Sequence, residues 1–487
     1  MQARRLQDLA AAVGASSESR TLVSGVTHDS QAVLPGDLFA ALPGARTHGA
    51  RFAEQALAAG AVAVLTDAAG AAAVPSGVDV VVVANPRSVL GQVSALVYAD
   101  SAKARVAGIT GTNGKTTVAF LLAAGLAAAG HRTGLLGTVG IRIGSEWLPS
   151  VRTTPEAPDV HALLALMVQA GCSHVAMEVS SHALALNRVD GVHFVASGFT
   201  NLARDHLDFH ESLDDYFAAK SKLFEPQRCE RAVVCVDDDY GRRLLAGLAI
   251  PGIAVSSTNP ADIWAEDVTI GATGSRCEVV FRDGRRLPMA VQLVGDFNLN
   301  NALVAVGLLE ALGVDLDAAI AGMGALSSVP GRMERIDCGQ AFTVLVDYAH
   351  TPDAVSAALA ALHTDRERIR LVLGCGGDRD AGKRPLMGAA AAAGAAAVWF
   401  TSDNPRSEDP ALIADQMLAG VATQDRHRVR RQLDRARAIR EAIASAEPGD
   451  VVLIAGKGHE TGQEIDGEVL PFDDREECRL ALAEVMA

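Results

Sequence analysis

The stretch GITGTNGKTTVAF, residues 108–120, constrains the fold of this chain more than any other. The residues before it, 104–109, are typical of a short buried strand, and residues 118–129 are typical of a helix that Gly130 closes. The polar, glycine-rich insert is therefore predicted to be a strand-to-helix turn. Strands that alternate with helices along the rest of the chain predict parallel sheets covered by helices, which is an α/β fold.

This turn is predicted to bind phosphate, because the N–H groups and the dipole of a helix N-terminus favour an anion. Lys115 is placed to reach the outer phosphates of a nucleoside triphosphate, and the Thr116 hydroxyl is placed to hold a bridging Mg²⁺. The match to GxxxxGK[ST] is incomplete, because Ile109 stands at the first glycine position. An alternative remains in which Gly111 and Gly114 only make a tight turn.

Length, charge and cysteine content exclude several classes of protein. A chain of 487 residues corresponds to two to four domains. Its 43 Lys and Arg against 58 Asp and Glu give a net charge of −15, which argues against a general nucleic-acid binder. We expect no membrane span and no signal peptide, and hence a cytoplasmic protein. The seven scattered cysteines contain no CxxC pair and predict neither a disulfide framework nor a zinc site.

Two interruptions in the alternation of predicted strands and helices predict three domains, covering residues 1–102, 103–329 and 330–487. The first boundary follows Tyr98-Ala-Asp100 and precedes the strand that leads into the glycine-rich turn. The second lies in SSVPGRMERID, where Pro330 and Gly331 interrupt a helical stretch before another strand. The first domain alternates strands and helices without a phosphate-binding turn.

Polar residues cluster where strands of the middle domain end. The segment HVAMEVSSH places Glu178 after an apolar run. The segment FVASGFTNLARDHLDFH places after its own run Asn201, Arg204, Asp205, His206 and His210. Ligands of parallel sheets bind at the carboxyl ends of strands, and Mg²⁺ prefers oxygen ligands, so Glu178 is predicted to complete the metal shell begun by Thr116. His206 can ligate metal or accept a proton near pH 7, and both roles stay open.

Four apolar runs of the last domain end in polar turns: VLVDYAHTPDAV, LVLGCGGDRDAGKRP, VWFTSDNPRSEDP and VVLIAGKGHETGQE. A doubly wound sheet would bring all four turns to one edge. They carry both basic and acidic side chains: Arg379, Lys383, Arg406, Lys457, Asp403 and Glu460. This mixture predicts a site for a ligand that is both anionic and cationic, such as an amino acid.

The motifs together resemble the Mur ligase family of peptidoglycan synthesis, and within it the members that add the third amino acid. The resemblance extends over essentially the whole chain, from DSQAVLPGDLFAALPG through GITGTNGKTT, TTPEAPD, MEVSSHAL, NLARDHLDFH, YFAAKSKLF, GDFNLNNALVA, PGRMERI and VDYAHTPDA to GCGGDRDAGKRPLMG, DNPRSEDP and AGKGHE. It implies an N-terminal α/β uridine-binding domain, a central P-loop ATPase domain with a mostly parallel sheet, and a C-terminal Rossmann-like domain that binds the amino acid.

The resemblance also implies a reaction. ATP phosphorylates the free D-glutamyl carboxylate of UDP-MurNAc-L-Ala-D-Glu, and the amine of a diamino acid attacks the acyl phosphate to give an amide, ADP and phosphate. The motif DNPR favours meso-2,6-diaminopimelate over L-lysine or ornithine, because Arg406 can clamp a second carboxylate. A related Mur or folylpolyglutamate-type ligase is the alternative within this class. A P-loop kinase or a nucleotide-regulated binding protein would explain the turn but not the four polar strand ends.

Residue roles follow from the resemblance by motif position. Catalytic roles are implied for Lys115, Glu178, His206 and Lys220, and ligation of two Mg²⁺ ions for Thr116, Glu178, His206 and a carbamylated Lys220. ATP contacts are implied for Gly111, Thr112, Asn113, Gly114, Lys115, Thr116, Thr117, Asn298, Asn301, Arg332, Asp347 and His350. The UDP substrate would contact Ser30, Thr153, Thr154, Ser180 and Arg188. The diamino acid would contact Arg379, Asp403, Asn404, Arg406, Gly456 and Glu460.

Three points of this assignment stay open. Without the resemblance, Lys220 would be taken for an exposed helix lysine, as Lys222 still is. Gln31 stands where the family usually has arginine, and Leu186 replaces a glutamine often found two residues before the arginine at position 188. The expected partners are small-molecule substrates, with no nucleic acid and no membrane span, and the expected oligomeric state is a monomer.

Overall fold

The computed structural model of this chain describes residues 3–44, 46–207, 209–271 and 274–486. Within these ranges, three sheets follow one another along the chain, with four, eleven and six strands, together with two small two-stranded pairs. Helices join the strands in all three parts, so the fold is α/β, as predicted.

The N-terminal part is a small parallel sheet. Its strands are β1 (Arg4–Arg5), β2 (Leu22–Val23), β3 (Gly25–Thr27), β4 (Asp37–Ala40), β5 (Ala63–Thr66) and β6 (Val80–Val82), and its helices are α1 (Leu6–Ala12), α2 (Ala53–Ala58), α3 (Ala68–Ala71) and α4 (Pro86–Val97). Strands β3 to β6 pair in parallel in chain order, while β1 and β2 form a separate antiparallel pair. Asn85 caps the start of helix α4, because its side-chain oxygen accepts the N–H of Arg87. Pro86 follows in the first turn, where the N–H that proline lacks would have no partner within the helix.

The central part is built on the eleven-stranded sheet. Its strands are β7 (Arg105–Thr110), β8 (Thr133–Leu136), β9 (Ile141–Ile143), β10 (Glu146–Leu148), β11 (His174–Glu178), β12 (Phe194–Phe199), β13 (Ala232–Cys235), β14 (Gly252–Ser256), β15 (Ile263–Gly271), β16 (Gly274–Phe281) and β17 (Arg286–Val291). Its helices are α5 (Lys115–Ala128), α6 (Ala157–Gln169), α7 (Ser181–Ala185), α8 (Leu213–Ser221), α9 (Asp239–Ala246), α10 (Phe297–Leu312) and α11 (Leu316–Gly324).

The strand order of this sheet is β10-β9-β8-β11-β7-β12-β13-β14-β15-β16-β17. Pairing is parallel from β8 to β15 and antiparallel at both ends. Strand β7 lies inside the parallel run, buried on both faces, which explains why its sequence is a continuous apolar stretch. The predicted strand at 104–109 is thus shifted by one residue, and the predicted helix begins at Lys115 rather than at 118.

The C-terminal part has a six-stranded sheet. Its strands are β18 (Glu334–Ile336), β19 (Thr343–Asp347), β20 (Ile369–Cys375), β21 (Ala397–Ser402), β22 (Val429–Arg431) and β23 (Val451–Ala455), followed by the hairpin β24 (Gly462–Ile465) and β25 (Glu468–Pro471). Its helices are α12 (Pro352–Ala360), α13 (Lys383–Gly394), α14 (Pro410–Ala419), α15 (Arg435–Ala444) and α16 (Asp474–Met486). The order is β18-β19-β23-β20-β21-β22, parallel except for β18. The carboxyl ends of β19, β23, β20 and β21 therefore meet at one edge.

The N-terminal and central parts share a packed boundary. Helix α4 contacts α6, and Ala157 and Ala165 of α6 belong to the same buried cluster as Leu90 and Val93 of α4. The predicted limits of the three domains remain predictions. Within the described ranges, none of the helices combines the length and hydrophobicity needed to cross a bilayer.

Candidate active site

The turn between β7 and α5 has a backbone that only glycine adopts readily. Gly111 has φ 147° and Gly114 has φ 87°. A Cβ at position 111 would lie 1.9 Å from Thr200 Oγ1. The end of β12 also holds the turn, because Thr200 Oγ1 donates to the Asn113 carbonyl over 2.6 Å and Asn201 Oδ1 accepts the Asn113 N–H over 3.0 Å. Two hydrogen bonds to residues that follow β12 therefore hold the loop in this conformation.

Two lysines meet at one carbonyl of this turn. Lys115 Nζ donates to the carbonyls of Gly111 and Thr112, both at 2.9 Å, and Lys220 Nζ donates to the same Gly111 carbonyl at 2.7 Å. Lys220 is only 1% exposed, and its Nζ lies 4.4 Å from the centre of the Tyr216 ring. Burial, followed by the nearby charge of Lys115, holds the pKa of Lys220 well below its usual range. The interpretation of Lys220 as an exposed helix lysine is wrong, whereas Lys222 is exposed.

Glu178, the last residue of β11, lies against the start of α5. Its Oε2 accepts the Thr116 hydroxyl at 3.0 Å, and its Oε1 accepts the N–H of Thr138 at 2.9 Å. The carboxylate is fully buried. Arg332, from the segment that leads into the third sheet, donates from Nη2 to Thr116 Oγ1 at 3.2 Å. The predicted metal ligands Thr116 and Glu178 are thus neighbours, with an arginine beside them.

His206 lies outside the apolar core, with its side chain 41% exposed. Its Nε2 is 3.4 Å from Asp205 Oδ2, and its ring centre is 4.8 Å from that of His182. Desolvation, opposed in part by Asp205, lowers the pKa of His206 to about 4, so the imidazole is neutral near pH 7. Among the described residues, no three His, Cys, Asp or Glu side chains converge into a metal centre of their own. Mg²⁺ in nucleotide sites takes one or two protein oxygens together with phosphate oxygens, and the Thr116–Glu178 pair fits that pattern.

A cavity of about 570 Å³ opens at this turn. Every residue predicted to contact ATP lines it except Gly111: Thr112, Asn113, Gly114, Lys115, Thr116, Thr117, Asn298, Asn301, Arg332, Asp347 and His350. Asn301 Nδ2 donates to Asn298 Oδ1 at 2.9 Å on α10. Asp347 accepts the N–H groups of Met333 and Ala349 at 2.7 and 2.8 Å, and burial raises its pKa. We refer to this space as the nucleotide cavity.

A second cavity of about 460 Å³ adjoins the first. All six residues predicted to contact the diamino acid line it: Arg379, Asp403, Asn404, Arg406, Gly456 and Glu460. Six residues line both cavities: Asp205, His206, Tyr348, His350, Thr351 and Asp353. We refer to the second space as the amino-acid cavity. A group bound in one cavity can therefore reach a group bound in the other.

The side chains of the amino-acid cavity are already hydrogen-bonded to one another. Asn404 Nδ2 donates to Glu460 Oε2 at 2.9 Å, and the buried Lys457 donates to Asn404 Oδ1 at 2.9 Å and to Glu460 Oε2 at 3.0 Å. Arg406 donates from Nε to Glu464 Oε2 at 3.0 Å. Gly456 has φ 116°, and a Cβ there would lie 2.6 Å from Asp403 Oδ2. The cavity presents cationic and anionic groups in fixed positions.

Only some of the residues predicted to contact the UDP substrate lie near the nucleotide cavity. Thr153 and Ser180 line the nucleotide cavity, and the Thr154 hydroxyl accepts the Ser180 N–H at 3.1 Å. Arg188 pairs with Glu156 at 2.9 Å and lies beside the same segment. Ser30 follows β3 in the N-terminal part, half-buried, and lines neither of the two cavities.

Sequence reasoning missed several of these partners. Thr138 donates hydrogen bonds to Glu178 from its N–H and its hydroxyl, and it follows the apolar strand β8. The expectation that polar residues after an apolar strand face the site, which predicted Glu178, also applies to Thr138. Glu156 pairs with Arg87, Arg152 and Arg188, but an acid at the start of α6 is typical of a helix cap and gave no separate signal. Their roles depend on contacts distant in sequence.

Comparisons with known proteins agree with this geometry. Three family models match the chain: "Mur ligase family, catalytic domain" at residues 22–124, "Mur ligase middle domain" at 109–309, and "Mur ligase, glutamate ligase domain" at 331–458. A UDP-N-acetylmuramoyl-L-alanyl-D-glutamate–2,6-diaminopimelate ligase of Streptomyces avermitilis is 49% identical over 99% of this chain and 97% of its own length. The corresponding ligase of Corynebacterium glutamicum is 44% identical over 98% and 95%.

A solved structure of a UDP-N-acetylmuramoyl-L-alanyl-D-glutamate–2,6-diaminopimelate ligase is also similar, with a TM-score of 0.69 and 34% identity over 100% of both chains. The similarity therefore extends over the whole chain. With family models matching in all three parts of the chain and relatives almost half identical over nearly its whole length, this chain belongs to the Mur ligase family.

Proposed function

We propose that this chain is an ATP-dependent ligase that joins meso-2,6-diaminopimelate to UDP-MurNAc-L-Ala-D-Glu through an acyl phosphate. The observation that carries the proposal is the shared wall between the nucleotide cavity and the amino-acid cavity. An acyl phosphate formed in one cavity would face an amine held in the other. The two diaminopimelate ligases at 49% and 44% identity support the same reaction.

Phosphoryl transfer requires positioning and charge neutralisation more than a protein nucleophile. Lys115 supplies a cation inside the glycine-rich turn, and Arg332 supplies another at Thr116. Lys115 now donates to two carbonyls of the turn, so it can exchange these bonds for phosphate oxygens without leaving its place. The N–H groups at the start of α5 add a third source of positive potential.

Two Mg²⁺ ions belong to this proposal, with Thr116, Glu178, His206 and carbamylated Lys220 as the protein ligands. Bound Mg²⁺ would neutralise charge on the phosphates during transfer. The donor set fits: Glu178 is a buried carboxylate already in contact with the Thr116 hydroxyl, and His206 is neutral. The protein groups themselves keep the phosphate end of ATP beside the entrance to the amino-acid cavity.

Carbamylation of Lys220 is supported by its surroundings. Two ammonium groups that share the Gly111 carbonyl repel each other, and burial removes the water that would offset this repulsion. A neutral amine is the form that reacts with carbon dioxide. The resulting carbamate would turn a cationic side chain into an anionic oxygen ligand and would relieve the crowding with Lys115.

The amino-acid cavity suits a diamino acid with two carboxylates. Four cations line this cavity, Arg204, Arg379, Lys383 and Arg406, and we assign Arg379 and Arg406 to the carboxylates of the ligand. Among the acids that line it, we assign Asp403 and Glu460 to the ammonium groups. L-lysine lacks the second carboxylate and would leave one of these two arginines without its ligand, which costs free energy. We therefore place diaminopimelate ahead of L-lysine or ornithine, and ahead of a folylpolyglutamate-type substrate.

The proposal is tested by measuring ADP, phosphate and tripeptide product with the purified protein. Product and phosphate are expected only when ATP, UDP-MurNAc-dipeptide and diaminopimelate are all present. A preference of about thirtyfold or more over L-lysine is expected from a charge-paired carboxylate worth about 2 kcal/mol or more. Rapid ATP hydrolysis without the other two substrates would contradict a ligase, and equal use of both amino acids would contradict the proposed specificity.

The role of Lys220 is tested with a matched pair of variants. Lys220→Ala is expected to lose most ligase activity and to regain part of it with short carboxylic acids, which can occupy the vacated oxygen position. Lys222→Ala, two residues away and exposed, is expected to keep full activity. A Lys220→Ala variant with normal activity would remove the metal role from this residue.

We also propose that the protein is a cytoplasmic monomer that acts on soluble small molecules. All three substrates are small, and residues of one chain line both cavities completely enough to include every predicted diamino-acid contact. Size-exclusion chromatography with light scattering is expected to give the 50.5 kDa mass of one chain. A stable dimer mass at enzyme-assay concentrations would overturn the monomer assignment.

A further inference from the structure

Glu464 lies outside the lining of the amino-acid cavity, yet its side chain binds a cavity residue. Its Oε2 accepts Arg406 Nε at 3.0 Å, across 58 residues of sequence. Arg406 also donates from Nη1 to the Gly377 carbonyl at 2.7 Å. Within the described part of the chain, Arg406 Nη2 has no protein partner. Glu464 and Gly377 therefore fix the guanidinium plane while leaving one edge of it for a ligand.

Strand β24 supports the same arrangement through both its backbone and a side chain. Gln463 donates from Nε2 to the Asp403 carbonyl at 2.7 Å, and the Glu464 N–H donates to Asn404 Oδ1 at 3.0 Å. The Arg406 N–H donates to the Glu464 carbonyl at 3.0 Å. Strand β24 thus contacts three of the four residues of the DNPR motif. Hydrogen bonds from the hairpin β24–β25 therefore hold this motif in place.

Arg406 needs such support because its own backbone is strained. Its φ is 54°, in the left-handed region that a residue with a long side chain rarely adopts. Without an acceptor at Nε, the guanidinium could rotate toward solvent, since its side chain is 23% exposed. An arginine fork binds a carboxylate well only when its plane is held in the right orientation.

We propose that Glu464 is a positioning residue that orients Arg406 and thereby sets the preference for an amino acid with a second carboxylate. This inference rests on the proposed function, because it concerns the amino-acid substrate of the same reaction. It assigns to the hairpin a role in specificity, although Glu464 does not line the cavity. The alternative is that Glu464 competes with the substrate carboxylate for Arg406, and the two alternatives predict opposite changes in KM.

The test compares Glu464→Ala, Glu464→Gln and a control, Glu468→Ala, on the facing strand of the same hairpin. Glu468 is exposed and pairs with Ile465 in the strand register, so its removal leaves Arg406 untouched. Steady-state kinetics are measured with diaminopimelate and with L-lysine. Thermal unfolding of each variant verifies that it is folded.

Glu464→Ala is expected to raise KM for diaminopimelate about tenfold, as a misaligned charged contact does, with KM for ATP and UDP-MurNAc-dipeptide unchanged. The preference over L-lysine is expected to fall by a similar factor. Glu464→Gln, which keeps an oxygen acceptor for Nε, is expected to retain most of the preference, and Glu468→Ala all of it. In an Arg406→Ala background, Glu464→Ala is expected to have no further effect on preference.

Three results would decide against the inference. A lower KM for diaminopimelate in Glu464→Ala would show competition instead of positioning. An unchanged preference in that variant, with normal activity of the unaltered enzyme, would overturn the inference and leave the proposed function intact. An unaltered enzyme that incorporates neither amino acid would overturn the proposed function, and this inference with it.

Discussion

Replacing Asp474 by asparagine is expected to destabilise the C-terminal part of the protein strongly. Arg435 and Asp474 form a two-pronged ion pair, Nε to Oδ1 and Nη2 to Oδ2, both at 2.7 Å, and both side chains are fully buried. Arg435 also donates to the Ala455 carbonyl at 3.0 Å and to the Ser402 carbonyl at 3.5 Å. These carbonyls immediately precede Gly456 and Asp403, so the pair connects the ends of β23 and β21 beneath the amino-acid cavity.

The size of the effect follows from the burial of the pair. Removing one partner leaves a buried, uncompensated charge, which costs about 3–5 kcal/mol. In a domain of about 150–250 residues, each kcal/mol lowers the midpoint of thermal unfolding by about 2–4 °C. The expected loss for Asp474→Asn is therefore about 6–20 °C. Replacing both residues by apolar ones, Arg435→Met with Asp474→Leu, should cost clearly less, because no charge remains buried.

Differential scanning calorimetry measures these changes, with Glu476→Gln as the control on the same helix. Glu476 pairs with Arg479, but both side chains are largely exposed, so its loss should change stability by less than about 1 kcal/mol. KM for the diamino acid should also rise in Asp474→Asn, because the cavity loses its support. A shift below about 2 °C, or a double variant less stable than Asp474→Asn, would refute this account of the pair.

Two further predictions concern the phosphate turn and an ion pair near the amino-acid cavity. Gly111→Ala is expected to abolish ATP binding in calorimetric titration, because its Cβ would lie 1.9 Å from Thr200 Oγ1. Gly130→Ala is the matched control, because it also places a side chain at a positive φ but has no atom within 4 Å of its Cβ, and it should bind ATP normally. Equal binding by both variants would contradict a closely packed turn. Hydrogen bonds from Arg384 lower the pKa of Glu408 to about 2, so the stabilisation that Glu408 contributes is complete above its unfolded pKa of about 4.3 and is lost as pH falls toward 2. The difference in thermal midpoint between Glu408→Gln and the unaltered protein should therefore be constant from pH 6 to 8 and shrink below about pH 4.5; a difference that grows on acidification would contradict this assignment.

Local pattern in the sequence was enough to predict the α/β class, the strand-to-helix turn at Gly111 to Thr116 and the polar ends of six strands. These features depend on neighbours in the chain: apolar runs form buried strands, and glycines at positive φ form the turn. Because parallel strands place their carboxyl ends at one edge, the gathering of Asp347, Asp403 and Glu460 could also be predicted. The roles of individual residues follow from the resemblance to Mur ligases and not from local pattern.

The partner of each charged side chain depends on how the chain packs in three dimensions. Lys220 meets the Gly111 carbonyl across 109 residues, Arg406 meets Glu464 across 58, and Arg435 meets Asp474 across 39. Such pairs leave no periodic signal, because the sequence around a single charged residue does not show whether that residue is exposed or buried. Their burial depends on how helices and hairpins pack over the sheet edges. Local sequence pattern is therefore sufficient to place the polar groups at the strand ends, whereas the packing of distant segments sets the charge, the orientation and the hydrogen-bond partners of each group there.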